Sequence, residues 1–437
     1  MLPVSKQLEG APMNVKRVAK DIPSVAPGRR KFLQFLLASP LARAVAGPGA
    51  LLGAAWPLQS AAQLAVRREL DALSRAAETI TSVDEALNVF DFEPAMQAEV
   101  NAGHFAYMAQ GADDSSILRA NRLGFDRYQL LPRRLVDTTS IDTSVDLFGE
   151  RYDLPVFIAP VGGMGMFRPD AEVVTARAAR ARNTLMILST PTNSSIEDVS
   201  AAREAPLWFQ LYPLSDWELT RAMIQRAETA GCRALALTVD IPARNLEPVA
   251  RFRRDSNSEC QNCHAGGTDW SRYPMLANVD MSSTRMGVAG LTWDYVERLK
   301  DATSMNLLIK GIVTPEDADL AIDHGADGII ISNHGGRAAS SNRSTIEALP
   351  GIAAAVRGRV PIVIDSGFRR GTDIFKALAM GATAVNIGRP YLWGLGAFGQ
   401  PGVERVLELL ERELRIVMQQ MGTPTLADIS DSYIRAI

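Results

Sequence analysis

Short apolar runs alternate with amphipathic stretches through the carboxyl-terminal two thirds of the chain. Eight such runs occupy residues 155–160, 185–189, 207–212, 234–240, 306–310, 328–333, 361–366 and 384–389. Each run is almost continuously apolar, as expected for parallel strands that are covered on both faces. The stretches between them, such as 171–182, 217–230 and 314–324, have the spacing of amphipathic helices. The pattern therefore predicts an α/β fold, a closed (β/α)8 TIM barrel within residues 101–437.

Two segments fall outside the regular alternation. Residues 47–100 precede the barrel and predict an N-terminal helical extension or linker. Between the fourth and fifth strands, residues 241–290 form a much longer loop than any other. Because this loop follows the carboxyl end of a strand, it predicts an active-site lid, with a disordered insertion as the alternative.

The amino terminus differs from the rest of the chain. Within residues 1–46, the paired Arg29 and Arg30 precede a modestly apolar run, 32–46, that ends in Ala-Val-Ala. This pattern predicts a twin-arginine export signal and a periplasmic protein. The run is short and contains Pro40, which disfavours a permanent transmembrane helix. The alternative is an amphipathic or disordered arm on a cytoplasmic protein.

Composition narrows the classes of partner. The 437 residues are 47% hydrophobic and 22% charged, which is enough apolar material for a large core. The formal net charge is −3, so the chain has no basic excess of the kind that binds nucleic acid or an anionic membrane. A small-molecule enzyme is the expected class.

One of only four histidines directly follows an apolar run. His334 lies in Ser-Asn-His-Gly-Gly-Arg at 332–337, where the two glycines allow a ligand to approach the backbone closely. A histidine at the carboxyl end of a barrel strand, near the cation of Arg337, suits proton abstraction. His334 is therefore the predicted catalytic base, and a purely structural histidine is the alternative.

Eight motifs, one after another along the chain, resemble the FMN-dependent 2-hydroxy acid oxidase and dehydrogenase family. They are 107–112 (Tyr-Met-Ala-Gln-Gly-Ala), 158–160 (Ile-Ala-Pro), 210–212 (Gln-Leu-Tyr), 237–240 (Leu-Thr-Val-Asp), 309–311 (Ile-Lys-Gly), the 332–337 segment, 365–371 (Asp-Ser-Gly-Phe-Arg-Arg-Gly) and 387–390 (Ile-Gly-Arg-Pro). The family includes glycolate oxidases, lactate oxidases and cytochrome-linked lactate dehydrogenases. The resemblance implies an FMN cofactor, a 2-hydroxy acid substrate and a homo-oligomer, a tetramer in the family.

The resemblance also implies roles for the strand-end residues. His334 would take a proton while a hydride passes from the substrate α-carbon to flavin N5, and Asp240 would stabilise the resulting imidazolium. Tyr212 would contact the reacting hydroxyl. The substrate carboxylate would be held by Arg337, with a further hydrogen bond from Tyr107.

Lys310 is assigned by the resemblance to the N1/O2 edge of the flavin, where positive charge stabilises the anionic reduced ring. The remaining residues implied in cofactor binding contribute to the ring rim or to the phosphate site between the last two loops. They are Ala159, Pro160, Ser189, Gln210, Thr238, Ser332, Asp365, Gly367, Arg369, Gly388 and Arg389.

The substrate side departs from the family pattern. Glu247 stands where the family usually has a second carboxylate-binding arginine, with Arg244 as a nearby substitute. Pro191 replaces the bulky aromatic residue of glycolate oxidases. These changes predict a wider pocket and a larger 2-hydroxy acid. The alternatives are oxidation of a modified peptide or amine, and an exported electron-transfer protein without turnover.

The long loop contains a Cys-x-x-Cys-His motif formed by Cys260, Cys263 and His264. This spacing is that of covalent c-type haem attachment, and export would place it where such haem is attached. A disulfide, free thiols or another metal site are the alternatives. The motif favours a cytochrome c-type electron acceptor, while oxygen remains the other candidate.

Overall fold

The structure, a computed structural model, describes residues 79–437 with the exception of 244, 256–272, 278, 281, 282 and 288, and of the side chains of 252–255. The predicted export signal, residues 47–78 of the predicted linker, Arg244 and the Cys260, Cys263 and His264 motif lie outside the described residues. Over the ranges that are described, no helix is long and apolar enough to cross a membrane.

Eight parallel strands form the central sheet, and each lies within or overlaps one predicted apolar run. Three short strands come first: β1 (Tyr128–Leu130), β2 (Val145–Leu147) and β3 (Glu150–Tyr152). The barrel strands are β4 (Val156–Ile158), β5 (Ile187–Ser189), β6 (Trp208–Leu211), β7 (Ala234–Thr238), β8 (Asn306–Ile312), β9 (Gly328–Ile331), β10 (Ile362–Ile364) and β11 (Ala384–Ile387). A last strand, β12 (Ile434–Ala436), pairs antiparallel with β1.

The barrel strands are hydrogen-bonded in the order β4, β11, β10, β9, β8, β7, β6, β5. The two end strands meet through a parallel bridge between Ile158 and Met186, where the Ile158 amide donates to the Leu185 carbonyl at 2.9 Å. This contact nearly closes the sheet on itself, so the predicted (β/α)8 barrel is confirmed. β8 runs beyond its predicted end at Lys310, with an irregular register between Lys310 and Ile312.

Helices surround the sheet and precede it. They are α1 (Phe92–Glu99), α2 (Ala102–Ala109), α3 (Ser116–Leu123), α4 (Ala171–Ala181), α5 (Ile196–Arg203), α6 (Trp217–Thr229), α7 (Glu247–Asp255), α8 (Trp293–Asp301), α9 (Pro315–Asp323), α10 (Thr345–Val356), α11 (Gly371–Ala379), α12 (Arg389–Phe398) and α13 (Gln400–Met421). Within the described part, α1 represents the predicted N-terminal extension. Its Phe92 ring packs edge-on against Phe398 of α12, with centroids 6.0 Å apart.

The barrel interior is filled by an apolar layer to which every strand contributes. Its members are Phe157, Ile187, Trp208, Ala236, Leu308, Ile330, Val363 and Ala384. The β2–β3 hairpin covers the amino-terminal end of the barrel, where the Tyr152 ring lies 5.1 Å from that of Phe157 and the Phe148 ring 5.5 Å from that of Trp208. Since this end is closed by apolar packing, a site for a small molecule is left to the carboxyl ends of the strands.

The long connection after β7 returns to the barrel mouth. Its far end is anchored on the loop after β6, where the Ser215 amide donates to the Arg285 carbonyl at 2.8 Å and Gly287 donates to Pro213 at 3.1 Å. The predicted lid, residues 241–290, therefore lies beside the carboxyl ends of the strands in its described parts. Its opening and closing stay a prediction.

Candidate active site

A ring of side chains lies two residues beyond the apolar layer, with one member in each strand or directly after it. Because side chains on a strand alternate between faces, these positions share the inward face at the carboxyl end of the barrel. The members are Ala159, Ser189, Gln210, Thr238, Lys310, Ser332, Asp365 and Asn386. We call this set the barrel-mouth ring. All but Asn386 were expected from the sequence.

One half of the barrel-mouth ring is a chain of neutral hydrogen bonds. Ser189 Oγ donates to Gln210 Oε1 at 2.7 Å, and Gln210 Nε2 donates to Thr238 Oγ1 at 2.9 Å. All three side chains are buried. Because the Gln210 oxygen accepts from Ser189 and its nitrogen donates to Thr238, the Gln210 amide is held in one orientation.

The other half of the ring is charged. Lys310 Nζ donates to Ser332 Oγ at 2.9 Å and lies 3.6 Å from Asp365 Oδ2, and Ser332 Oγ donates to Asp365 Oδ1 at 2.8 Å. The Lys310 and Asp365 side chains are only 4% and 9% exposed. A buried ammonium group is thus stabilised at the barrel mouth by a carboxylate and a hydroxyl.

His334 lies between this charged half of the ring and the cavity above it. Its Nδ1 is 2.9 Å from Asp240 Oδ1, and its Nε2 is 3.3 Å from the Tyr212 hydroxyl. Its backbone has a φ of +60°, in the left-handed region, and its amide donates to Ser332 Oγ at 2.9 Å. The strained backbone, continued by two glycines, directs the imidazole between a carboxylate and a phenol.

Asp240 is the buried partner of His334. Burial by itself would raise the pKa of this carboxyl, but the charges of His334 and Lys310 and the hydrogen bond from His334 outweigh it and hold the pKa below its ordinary value of 3.8. The side chain fits because β8 has Gly311 opposite, with a φ of +115°; a Cβ there would lie 2.5 Å from the Asp240 Cβ. Asp240 is therefore an anion directed at the imidazole.

Arg337 and Tyr107, the predicted carboxylate clamp, come together at the cavity. The guanidinium lies 4.3 Å from the centre of the Tyr107 ring, and Nη1 donates to the carbonyls of Tyr107 and, at 3.2 Å, of Gln110. Glu247 starts α7 in an ion pair with Arg251 and does not line the cavity. Glu247 is an acidic residue outside the cavity lining, so it supplies no second positive charge to the clamp.

Two further arginines, Arg369 and Arg389, line the same cavity, and Arg389 donates to the Gln110 carbonyl that Arg337 also contacts. Burial lowers the pKa of Arg369 to about 9, with smaller contributions from the positive charges of Arg122 and Arg389. Burial and nearby Arg337 likewise lower the pKa of Arg389 to about 9. Neither forms an ion pair with a carboxylate in the part of the chain that the structure describes. An anion between them would restore their ordinary basicity.

These groups surround a single cavity of about 460 Å³. The predicted residues that line it are Tyr107, Ala159, Pro160, Ser189, Tyr212, Lys310, His334, Arg337, Asp365, Gly367, Arg369, Gly388 and Arg389. Asp240, Gln210 and Ser332 lie behind this lining and hydrogen-bond to it. Thr238 lies behind it too and accepts a hydrogen bond from Gln210. The predicted site residues within the described ranges thus converge on one place, while their individual roles remain predictions.

Comparison with known proteins agrees with this geometry. Residues 96–436 match the family described as FMN-dependent dehydrogenase. The chain belongs to this family.

Similar proteins include a 2-hydroxyacid oxidase of Dictyostelium discoideum, 41% identical over 76% of this chain and 85% of that protein. A lactate oxidase structure from Pediococcus acidilactici covers 82% of this chain and 96% of its own, with a TM-score of 0.74 and 35% identity. The structure of a soluble mutant of the membrane-associated (S)-mandelate dehydrogenase from Pseudomonas putida covers 81% of this chain and 100% of its own. Its TM-score is 0.71 and its identity 34%. This FMN-dependent dehydrogenase is thus an oxidoreductase of the 2-hydroxy acid oxidase type.

The cavity of this FMN-dependent dehydrogenase fits the cofactor that its family implies. Arg369 and Arg389 donate to backbone carbonyls but have no carboxylate partner in the described chain, so their positive charges suit a phosphate. Arg389 also starts α12, whose first amides add positive potential. Gly367 has a φ of +100°, and a Cβ at this position would lie only 2.4 Å from the Asn121 carbonyl oxygen. Glycine therefore allows the loop to pack against Asn121. Gly388 has no atoms within 4 Å of its Cβ position, which leaves space beside the arginines.

Asn386 is the site residue that sequence reasoning missed. It lines the cavity, is 1% exposed, and neither atom of its amide has a hydrogen-bond partner among the described residues. The sequence contains one indication of its place. Asn386 lies two residues after Ala384 on the same strand, and side chains two residues apart on a strand share a face. The Cys260, Cys263 and His264 motif lies outside the described residues, and haem attachment stays a prediction.

Proposed function

We propose that this FMN-dependent dehydrogenase oxidises an L-2-hydroxy acid to the 2-oxo acid, with His334 as the base. The observation that carries the proposal is the alignment of Asp240, His334 and Tyr212, with contacts of 2.9 and 3.3 Å on opposite nitrogens of one imidazole. Bound FMN supplies a two-electron acceptor for the hydride on the substrate α-carbon.

The imidazole is arranged to gain a proton. His334 Nδ1 is bound to the Asp240 carboxylate, which leaves Nε2, on the cavity side, to accept the proton of the substrate hydroxyl. The resulting imidazolium is stabilised by the Asp240 anion at 2.9 Å. Tyr212, within hydrogen-bond reach of the same nitrogen, would orient the hydroxyl before the proton moves.

The substrate carboxylate needs a cation beside this hydroxyl. Arg337 lines the cavity with His334, and its guanidinium is held over the Tyr107 ring. A planar guanidinium binds a carboxylate through two parallel hydrogen bonds. We assign the carboxylate to Arg337 and Tyr107, which line the same cavity as His334.

The side chain of the substrate would contact an apolar part of the same wall. The apolar lining residues there are Met166, Phe167, Pro191, Ile241 and Met286. Such a surface favours a substrate that buries a hydrocarbon or aryl group. We propose a 2-hydroxy acid with an apolar side chain larger than a methyl group, a proposal supported by the similarity to a mandelate dehydrogenase.

We further propose that a cytochrome, rather than oxygen, reoxidises the enzyme, and that residues 1–46 direct it to the periplasm. The paired arginines and the Cys-x-x-Cys-His motif support this assignment. Reoxidation is tested by adding oxygen or cytochrome c to the substrate-reduced enzyme and recording the return of flavin absorbance. Faster reoxidation by oxygen would contradict the proposed acceptor.

Anaerobic mixing tests the reaction itself. The FMN-loaded enzyme is mixed with L-lactate, L-mandelate and L-3-phenyllactate, and flavin bleaching is followed at its visible absorption band. We expect bleaching with the larger acids and none by His334→Gln, which should retain FMN. The matched control is His324→Gln, because His324 is a surface histidine paired with Glu297 at 2.7 Å and away from the cavity. Bleaching by His334→Gln at the normal rate would exclude His334 as the base.

A further inference from the structure

Asn386 is the one polar member of the barrel-mouth ring whose side chain is unsatisfied. The other six polar members, Ser189, Gln210, Thr238, Lys310, Ser332 and Asp365, all hydrogen-bond to one another or to a neighbour. The amide nitrogen and oxygen of Asn386 have no partner in the described chain, although the residue is only 1% exposed.

The neighbouring strands explain why no partner is available. On β4 the ring position is Ala159, which has no polar side-chain atom. On β10 it is Asp365, whose Oδ1 already accepts from Ser332 and Ser366 at 2.8 and 2.6 Å. Burying an amide without partners is unfavourable, and Asn386 also lines the cavity, so the two observations together point to a partner within that cavity.

The position of Asn386 identifies which part of the cofactor it would meet. The residue lines the cavity and lies three positions before Arg389, to which the phosphate is assigned. The ring-edge residues expected to contact the isoalloxazine, Ser189, Gln210, Thr238 and Lys310, lie on β5 to β8, across the barrel mouth from β11. The portion of FMN between its phosphate and its ring is the ribityl chain.

We propose that Asn386 is a cofactor-binding residue that hydrogen-bonds to the ribityl hydroxyls of FMN. A hydroxyl both donates and accepts, so it satisfies an amide nitrogen and an amide oxygen equally well. The inference rests on the FMN dependence of the proposed function, and it goes beyond that function by assigning a residue that neither the charge pattern nor the sequence motifs had included.

The test compares apoprotein of the wild type with two variants. Asn386→Leu keeps the approximate size of the side chain and removes both polar atoms. Thr175→Val is the matched control, because Thr175 Oγ1 is also buried without a partner among the described residues but does not line the cavity. Quenching of flavin fluorescence gives the dissociation constants of FMN, riboflavin and lumiflavin, which lacks the ribityl chain.

We expect Asn386→Leu to bind FMN and riboflavin about five- to tenfold more weakly than the wild type, the loss associated with one or two hydrogen bonds. Lumiflavin should bind both proteins equally, and Thr175→Val should bind all three flavins as the wild type does. An unchanged FMN dissociation constant in Asn386→Leu would overturn the proposal. An equal loss for lumiflavin would also overturn it, since the contact would then be to the ring.

Thermal unfolding separates cofactor binding from a structural role. Removing an unsatisfied buried amide should raise the Tm of the apoprotein, whereas losing a contact to FMN should reduce the increase in Tm that FMN produces. Equal changes in the apo and FMN-loaded Tm would contradict the proposal. If Asn386→Leu does not fold, Asn386→Ala is measured against the same control. Failure of the wild type to bind FMN would instead refute the proposed function.

Discussion

His334 Nδ1 and Asp240 Oδ1 lie 2.9 Å apart, and the two side chains differ sharply in exposure, 20% for the histidine and 6% for the aspartate. The imidazole therefore faces the cavity while its anionic partner is shielded behind it. The carboxylate thus acts on the imidazole from the side away from the cavity.

Asp240→Asn should preserve the shape of the site while removing the charge that stabilises the imidazolium. We expect FMN binding to be retained and the rate of flavin reduction to fall about 10²- to 10⁴-fold, the usual range for a lost acid–base contribution. Rapid-mixing absorbance with the best substrate measures the rate. Flavin reduction at the wild-type rate would show that the Asp240 charge has no part in proton removal.

Asp240 should also make stability depend on pH. Its pKa in the folded protein lies below the ordinary value of 3.8, so between the two values the unfolded chain binds more protons than the folded one. The stabilisation is therefore fully present above 3.8 and is lost as the pH falls through the lower, folded pKa.

Urea unfolding of the wild type and Asp240→Asn at several acidic pH values checks this dependence. We expect the wild type to lose more of its unfolding free energy than the variant does when the pH falls below 3.8. Parallel pH profiles for the two proteins would contradict a lowered pKa for Asp240.

Arg389→Gln should weaken the binding of FMN far more than that of riboflavin, because the guanidinium donates only to neutral backbone carbonyls among the described residues and a phosphate would balance its buried charge. Losing a charge-assisted hydrogen bond of this kind corresponds to about a 10- to 100-fold weaker FMN affinity. Fluorescence titration with the two flavins measures the difference. The control is Arg370→Gln, since Arg370 pairs with Glu413 at 2.9 Å and does not line the cavity.

Pro191→Phe should shift the preference towards small substrates. Pro191 lines the cavity, and its Cγ lies 2.5 Å from the Cβ position of Gly162, so a larger ring there would extend into the apolar wall. We expect the ratio of kcat/KM for mandelate over lactate to fall about tenfold or more. An unchanged ratio, with both substrates still turned over, would place the substrate side chain elsewhere.

Replacing both Arg29 and Arg30 by lysine should retain the protein in the cytoplasm, since a twin-arginine signal is recognised through its paired guanidiniums. Fractionation of a bacterial host, with flavin fluorescence and immunoblotting of each fraction, measures the distribution. We expect the wild type in the periplasm in a shortened form. Wild-type protein of full length in the cytoplasm would contradict the export signal.

Much of the architecture could be predicted from sequence because of how parallel strands are buried. A strand covered on both faces must be apolar at nearly every position, so runs such as 328–333 stand out without any knowledge of their neighbours. His334 was equally evident, since a histidine and two glycines directly after such a run have few structural explanations. The strand order and the convergence of distant motifs then follow from the closed barrel.

Other features depended on the tertiary structure. The sequence alone did not distinguish Asn386 from the many buried amides that are satisfied, because hydrogen-bond partners come from strands far apart in the chain. The lowered pKa values of Arg369 and Arg389 likewise arise from burial and from cations brought close by folding. Local pattern determined which segments are strands and singled out His334, whereas the surroundings of each side chain were decided by packing between distant segments.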